Sequence, residues 1–350
     1  MTEQGKKKNL SRRRFLKLTA QGAVVATAAS CIPHVDGDWD TCEQSEFNLD
    51  PSLVPISHVV VEVNSAHSVA EDSWDIDPQV VREMFTSGLM ALTETDDPTD
   101  SWSVVIPGYE SGEKISLKAN TLNPSVPSSP ALISAISESL LQNLNGLSSQ
   151  DLFIWDRTEK ELENAGILQD TVKVPCLGTF KSSDDESGPG YESDSVCLSG
   201  KKIHLSKLLT QQTDHLINVS VMKNHGASGF TGCMKNHYGS FSNPEDFHKE
   251  CELHIARLNA IPEVTAKTRL FAMDALIGVS MGDTHMPHDC KPRKILLSFD
   301  PVAIDQRGME IRDEIRAQEG MSPAKVAGYL QEAEQMGLGT RSYELVTIEI

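Results

Sequence analysis

The sequence predicts an α/β fold: a mostly parallel sheet with helices on both faces and one surface insertion. Three observations carry that expectation. Short β-branched runs alternate with apolar-periodic stretches along the 350 residues, the order of crossover units in a parallel sheet. The hydrophobic (39%) and charged (23%) fractions are those of an ordinary chain that can bury a full core. An apolar run beginning at His215 ends in a glycine-rich loop, as a buried strand does when it feeds a ligand site.

Taken in order, residues 56–64 read as a strand, and Asp77 caps a helix that starts at Pro78 and runs through Leu92. The Asp/Pro/Thr cluster at 93–100 reads as a loop. Residues 112–120 alternate as a strand ending in Lys118 and Asn120. A proline-rich loop and a helix over 131–144 follow, then a strand at 151–155, a helix at 158–165 and a strand at 171–174. Residues 181–195 are a polar, acidic surface insert without the spacing of an EF-hand. Beyond the central strand and its loop, a helix is predicted from Pro244 to Asn259, with strands at 270–279 and 294–299. Two helices, 302–318 and 323–336, and a last strand near 343–350 complete the chain.

The N-terminus carries an export signal. Ser11-Arg12-Arg13-Arg14-Phe15-Leu16-Lys17 matches the twin-arginine pattern in every position, and a weakly apolar run to Ala29 follows. That run is shorter than the roughly 20 apolar residues a membrane span needs. Residues 1–30 therefore read as a signal peptide handled by the twin-arginine export machinery, 31–55 as a flexible tether and 56–350 as a single domain. Either a small-residue cleavage site at Ala26-Thr27-Ala28 or lipid attachment at Cys31, after Ala28-Ala29-Ser30, suits this region. The expected location is the periplasm or envelope, with membrane contact only through the signal or that lipid.

The first 30 residues hold seven basic and one acidic side chain, so without them the net charge falls from −19 to −25. Such a surface repels nucleic acid and anionic lipid. No two of the seven cysteines are separated by two residues, which excludes ferredoxin-type clusters and zinc ribbons, so no iron–sulfur motif is present. Cys176 and Cys197, flanking the acidic insert, are a candidate disulfide pair. No Gly-x-Ser-x-Gly, Walker loop or dinucleotide fingerprint occurs.

Eight of the eleven histidines lie between His204 and His288, which makes the C-terminal half the chemical one. The central loop repeats Lys-Asn-His at Lys223-Asn224-His225 and Lys235-Asn236-His237, with Gly226, Gly229 and Gly232 at every third position between. Glycines there let backbone amides approach an anion, and the lysines add charge. His225 and His237 are acid/base candidates beside Lys223 and Lys235. A second constellation, Asp283, His285, His288, Asp289 and Cys290, has the donor types of a transition-metal site, zinc or nickel, and Pro287 excludes a helical histidine pair. His248 and His254 flank Cys251 at spacings of three, so that one faces the site and the other solvent. Cys233, after Gly232 at a possible helix start, reads as a buried, inert thiol in preference to a thiolate stabilised by the helix dipole.

The ordered set Leu117-Lys118-Ala119-Asn120, Val221-Met222-Lys223-Asn224-His225-Gly226, Thr231-Gly232-Cys233-Met234-Lys235-Asn236-His237-Tyr238-Gly239, Asp274 and Asp300-Pro301-Val302-Ala303-Ile304-Asp305 resembles the family called domain of unknown function 362, over roughly residues 56–320. The resemblance implies an α/β fold and no agreed activity. It singles out Lys118, Asn120, Lys223, His225, Lys235, Asn236, Asp274, Asp300 and Asp305, of which Asp300 and Asp305 also suit structural capping. Many members add cysteine-rich iron–sulfur segments that this chain lacks, so electron transfer does not carry over. A distant similarity to the lactate racemase fold, which uses a nickel nucleotide cofactor, transfers no residue. The sequence thus supports an exported enzyme that binds a small anionic ligand or an unidentified cofactor through Lys118, Asn120, Lys223, Lys235, Asn236 and Asp274. The alternative is a non-catalytic envelope protein that binds metal or ligand at His285 and His288.

Overall fold

The computed structural model describes residues 42–43 and 57–350. The signal at 1–30, Cys31 and all of the tether but Cys42 and Glu43 lie outside the described residues.

Strand β1 (Val59–Asn64) leads to helix α1 (Pro78–Thr93), whose N-terminal amides at Gln79 and Val80 are capped by Asp77. Helix α2 (Pro98–Val105) occupies what the sequence read as a loop: Asp97 accepts from Thr99 N–H, and Pro98 sits at the first helical position. An Asp-Pro-Thr cluster signals a loop and a helix start alike. The tertiary structure decides for helix by burying Trp102, whose indole N–H donates to Ser139 Oγ at 2.9 Å. Then come β2 (Ile115–Lys118), α3 (Pro130–Asn143), β3 (Leu152–Thr158) and α4 (Glu159–Asn164). The strand expected at 171–174 is instead the helical turn α5 (Gln169–Val172), ended by Lys173 at φ +65°. The strand forms after Pro175, as β4 (Cys176–Phe180), because that is where the chain reaches the edge of β3.

The acidic insert is mostly exposed and leads into a hairpin, β5 (Val196–Leu198) and β6 (Lys201–Ile203). Next are α6 (Lys207–Thr210), the long β7 (His215–His225), β8 (Gly229–Thr231) and the single turn α7 (Cys233–Asn236). The predicted helix 244–259 is broken: a 3-10 turn (Pro244–Phe247) is separated from α8 (Cys251–Asn259) by Glu250 at φ +58°. The chain closes with α9 (Pro262–Thr265), β9 (Thr268–Val279), β10 (Lys294–Ser298), α10 (Pro301–Gln318), α11 (Tyr329–Gln335) and β11 (Glu344–Glu349). The last helix is shorter than the expected 323–336. The backbone at 324–325 instead pairs sideways, Ala324 N–H with Asp313 and Lys325 C=O with Arg312.

The main sheet runs β11-β1-β10-β9-β7-β2-β3-β4, with β8 paired to β7. Only β10 and the short β8 are antiparallel to their neighbours, so the predicted mostly parallel α/β fold is what forms. Strand residues alternate between two cores, as period-two geometry requires. Ile217, Val219, Leu270, Ala272, Ile295 and Leu297 face α1 to α3, while Leu216, Phe271, Met273 and Leu296 face α7, α8, α10 and α11. Parallel neighbours β2 and β7 diverge after their C-terminal ends. From β2 the chain crosses to β3 through α3 on one face, and from β7 it crosses to β9 through α7 to α9 on the other. Such a switch point is where open α/β sheets hold ligands.

The disulfide joins Cys42 to Cys197, not Cys176 to Cys197; Cys176 is a free, half-buried thiol. The bridge fastens residue 42 to the β5–β6 hairpin, where Cys42 N–H also donates to Gly200 C=O. It closes a long loop, so reduction, or Cys197→Ser, is expected to cost about 2–5 kcal/mol. Urea midpoints with and without dithiothreitol check this, and an unchanged midpoint refutes it.

Candidate functional site

The site is built at that switch point. Lys118 ends β2, Lys223 and His225 end β7, and Lys235 and Asn236 sit on α7 directly above. These residues do different work.

Lys118 is structural. It is 1% exposed, and its ammonium donates to Asp156 Oδ1 at 2.6 Å and to Ala119 C=O at 2.8 Å. Asp156 in turn accepts from Thr121 N–H and Oγ. A buried charge paired and hydrogen-bonded this fully has no capacity for a ligand. Asn236 is equally saturated, donating to Lys118 C=O and Asn218 Oδ1 while accepting from Asn120. Asn120 spends its remaining oxygen on Lys223, at 2.7 Å. Asp274 ties Ser129 N–H and Leu276 N–H, which anchors the start of α3; burial pushes its carboxyl up from the usual range.

The expected anion cradle of glycines is already filled by the protein itself. Asp305, fully buried on α10, accepts from Cys233 N–H at 2.6 Å, Met234 N–H at 3.1 Å and Tyr329 Oη at 3.0 Å. Gly232 is required for this contact, since a Cβ there would lie 2.2 Å from Asp305 Oδ1. Gly229, at φ +84°, lets the backbone pass where a Cβ would meet Val326 O at 2.6 Å. Gly226 N–H is taken by Asp283 Oδ1 at 3.1 Å. Cys233 is the buried, inert thiol expected, 0% exposed, with burial pushing its pKa well up. Asp300 caps α10 through Val302 and Ala303 N–H.

What remains free is Lys223, Lys235, His225 and His248, one of the two histidines that flank Cys251 in the sequence. Lys223 and Lys235 are 1% and 8% exposed. Among the described residues neither has a carboxylate within salt-bridge distance: Lys223 has only the Asn120 oxygen, and Lys235 lies 4.3 Å from the centre of the Tyr238 ring. Burial drives the Lys223 amine down to about 7 and the Lys235 amine to about 8.

His225 Nδ1 accepts from two backbone amides, Ala227 at 3.1 Å and Ser228 at 3.2 Å. Both partners can only donate, so the neutral ring carries its proton on Nε2. A second proton has no acceptor; burial, then Lys235, pushes the pKa to about 3. His225 is therefore a fixed Nε2–H donor and not a general base. Its Nε2 also has no lone pair to offer a metal. His248 stacks on it, centroids 5.9 Å apart, in the opposite tautomer: its Nδ1–H donates to Pro244 C=O at 3.0 Å, which leaves Nε2 bare at the surface. His248, unlike His225, thus presents an open acceptor nitrogen. The sequence signal for it was the His248-x-x-Cys251 spacing. Its companion His254, expected toward solvent if His248 faces the site, is instead 7% exposed against Phe247. His237 is sealed in the core at 0% exposure, with burial and then Lys118 lowering its pKa to about 3, so it does not join the site.

The loop after β9 covers this end of the sheet. Asp283 holds Gly226 and Thr284 amides; Asp289 accepts from Ser280, Met281 and Gly282 amides. His288 Nδ1 donates to Ser125 C=O and its ring lies 4.0 Å from that of Trp74, while His285 is exposed. Both carboxylates are thus engaged as turn caps. Among the described residues no three His, Cys, Asp or Glu side chains come together to hold a metal ion.

No curated protein matches the chain. A crystal structure of a protein from Thermotoga maritima aligns with 11% identity and a TM-score of 0.37, over 69% of this chain and 59% of that one. The family model described as domain of unknown function, DUF362, matches residues 115–310, more than half of the chain and the span from β2 into α10 that holds every lysine and histidine of the site. The chain belongs to the DUF362 family.

Proposed function

We propose that the protein is an exported enzyme that binds a small anion between Lys223, Lys235 and the Nε2–H of His225, with His248 Nε2 as its general base. One observation carries the reading: two lysines are buried at the switch point with no carboxylate paired to either. Holding an unpaired ammonium out of water is costly, and a bound anion supplies the missing charge. The His225 donor and the His248 acceptor, stacked at the same mouth, give one group to orient the anion and one to take a proton from a substrate.

Export rests on the twin-arginine pattern and is supported by the Cys42–Cys197 disulfide, since such bridges persist in oxidising compartments. Fusion of residues 1–55 to a reporter that is active only after twin-arginine transport tests it. Loss of transport on Arg12→Lys/Arg13→Lys supports the signal, and unchanged transport refutes it.

Anion binding is expected to draw in protons. In the free protein burial holds the two amines down at about 7 and about 8. An anion favours the ammonium forms, so binding is strongest below pH 7 and weakens about tenfold or more by pH 9. Calorimetry with sulfate, which does not titrate in this range, in two buffers of different ionisation enthalpy measures the proton uptake. Binding without uptake removes the lysines from the site.

A further inference from the structure

We propose that the anion is the head of an amphiphile whose alkyl chain lies along an apolar rim formed by Leu122, Met281 and Met286. The proposal rests on the anion site above and names its substrate class. Nine large hydrophobic residues are exposed among the described ones, and the rim accounts for three: Leu122 at 50%, Met281 at 41% and Met286 at 52%.

Hydrogen bonds connect these three to the anion site. Leu122 lies two residues beyond Asn120, whose side-chain oxygen holds Lys223. Asn123, next to Leu122, donates its side-chain amide to Thr284 C=O and Met286 C=O, both at 2.8 Å, which joins the loop after β2 to the loop after β9. That second loop is fixed over the end of β7 at two points, Asn224 Nδ2 donating to Gly282 C=O at 2.6 Å and Gly226 N–H donating to Asp283 Oδ1 at 3.1 Å, and Asp289 braces it internally by accepting from the Met281 and Gly282 amides. Met281 and Met286 therefore project from a braced loop beside His225 rather than from a free one. Two further exposed residues sit at the same end of the sheet: Trp74 packs on His288, and the Val326 carbonyl closes on Gly229.

Exposed apolar side chains scattered singly need no explanation, but a set gathered around a polar site does. Thioether side chains are flexible and suit a chain of variable length. The strongly acidic surface disfavours an anionic bilayer as the occupant, while the buried lysines select an anionic head. A single amphiphilic anion satisfies both parts.

The test is calorimetry at pH 6.5 with n-alkyl sulfates from methyl to octyl, below their micelle concentrations. Affinity is expected to rise about two- to fourfold per methylene, as burial of each group predicts. The double variant Leu122→Ser/Met286→Ser, at exposed positions, is expected to flatten that slope and leave methyl sulfate unchanged. Lys223→Met is expected to weaken all lengths alike. Equal affinity for methyl and octyl sulfate overturns the amphiphile and leaves the anion site standing, as does self-association that buries the rim without any length dependence. Failure of every member, methyl sulfate included, overturns the anion site itself.

Discussion

Lys223→Met is expected to abolish sulfate binding, a loss of at least about a hundredfold, and at the same time to make the free protein more stable at neutral and acid pH. The two effects share one cause. Lys223 is 1% exposed and has a single neutral partner, and burial lowers its amine from 10.5 to about 7. The sign follows from linkage. Below pH 7 the folded state must hold an ammonium it disfavours, so the penalty is fully present. Between 7 and 10.5 the unfolded chain keeps a proton that the folded chain has released, so stability rises with pH. Above 10.5 the penalty is gone. Methionine removes the charge at similar volume, so the gain is on the order of a few kcal/mol at pH 6 and shrinks toward pH 10. Urea unfolding at both pH values measures it. A destabilised variant, or one that still binds sulfate, means that the lysine is held by something other than a site awaiting an anion.

Asp305→Ala is expected to cost about 3–5 kcal/mol, a large part of the stability of a typical domain. The carboxylate satisfies two buried amides, Cys233 and Met234, and the Tyr329 hydroxyl, and none of the three has water as a substitute. Burial pushes the carboxyl up to about 7 against the pull of those donors, so the group is held by the turn it supports. Asp305→Asn keeps the shape and one acceptor oxygen and is expected to lose about half as much. Because Lys235 follows Met234 on the same turn, sulfate affinity should fall in the alanine variant even where it remains folded. Full stability in Asp305→Ala would mean that the turn stands without the carboxylate.

Some of this was legible in the residues. The α/β class follows from alternating periodicities, and most element boundaries follow from caps such as Asp77-Pro78 and Asp300-Pro301, whose physics is confined to one turn. That Lys223 and His225 lie at the end of a buried strand was legible too, because the apolar, β-branched run before them is a signal confined to neighbouring residues.

The division of roles among those residues was not legible. Lys118 and Lys223 look alike in sequence. One meets Asp156, 38 positions away, and becomes a buried ion pair; the other meets only Asn120, 103 positions away, and stays short of a counter-ion. The glycine loop has the composition of an anion cradle, and only the approach of α10 shows that Asp305 already occupies it. His225 and His248 differ in tautomer because one ring meets amides and the other a carbonyl. The disulfide partner of Cys197 lies 155 positions away, beyond the reach of spacing arguments. Local order determined most of the elements and their caps. Charge state, proton position and free capacity were decided by partners distant in sequence, because burial and pairing are properties of neighbours in space.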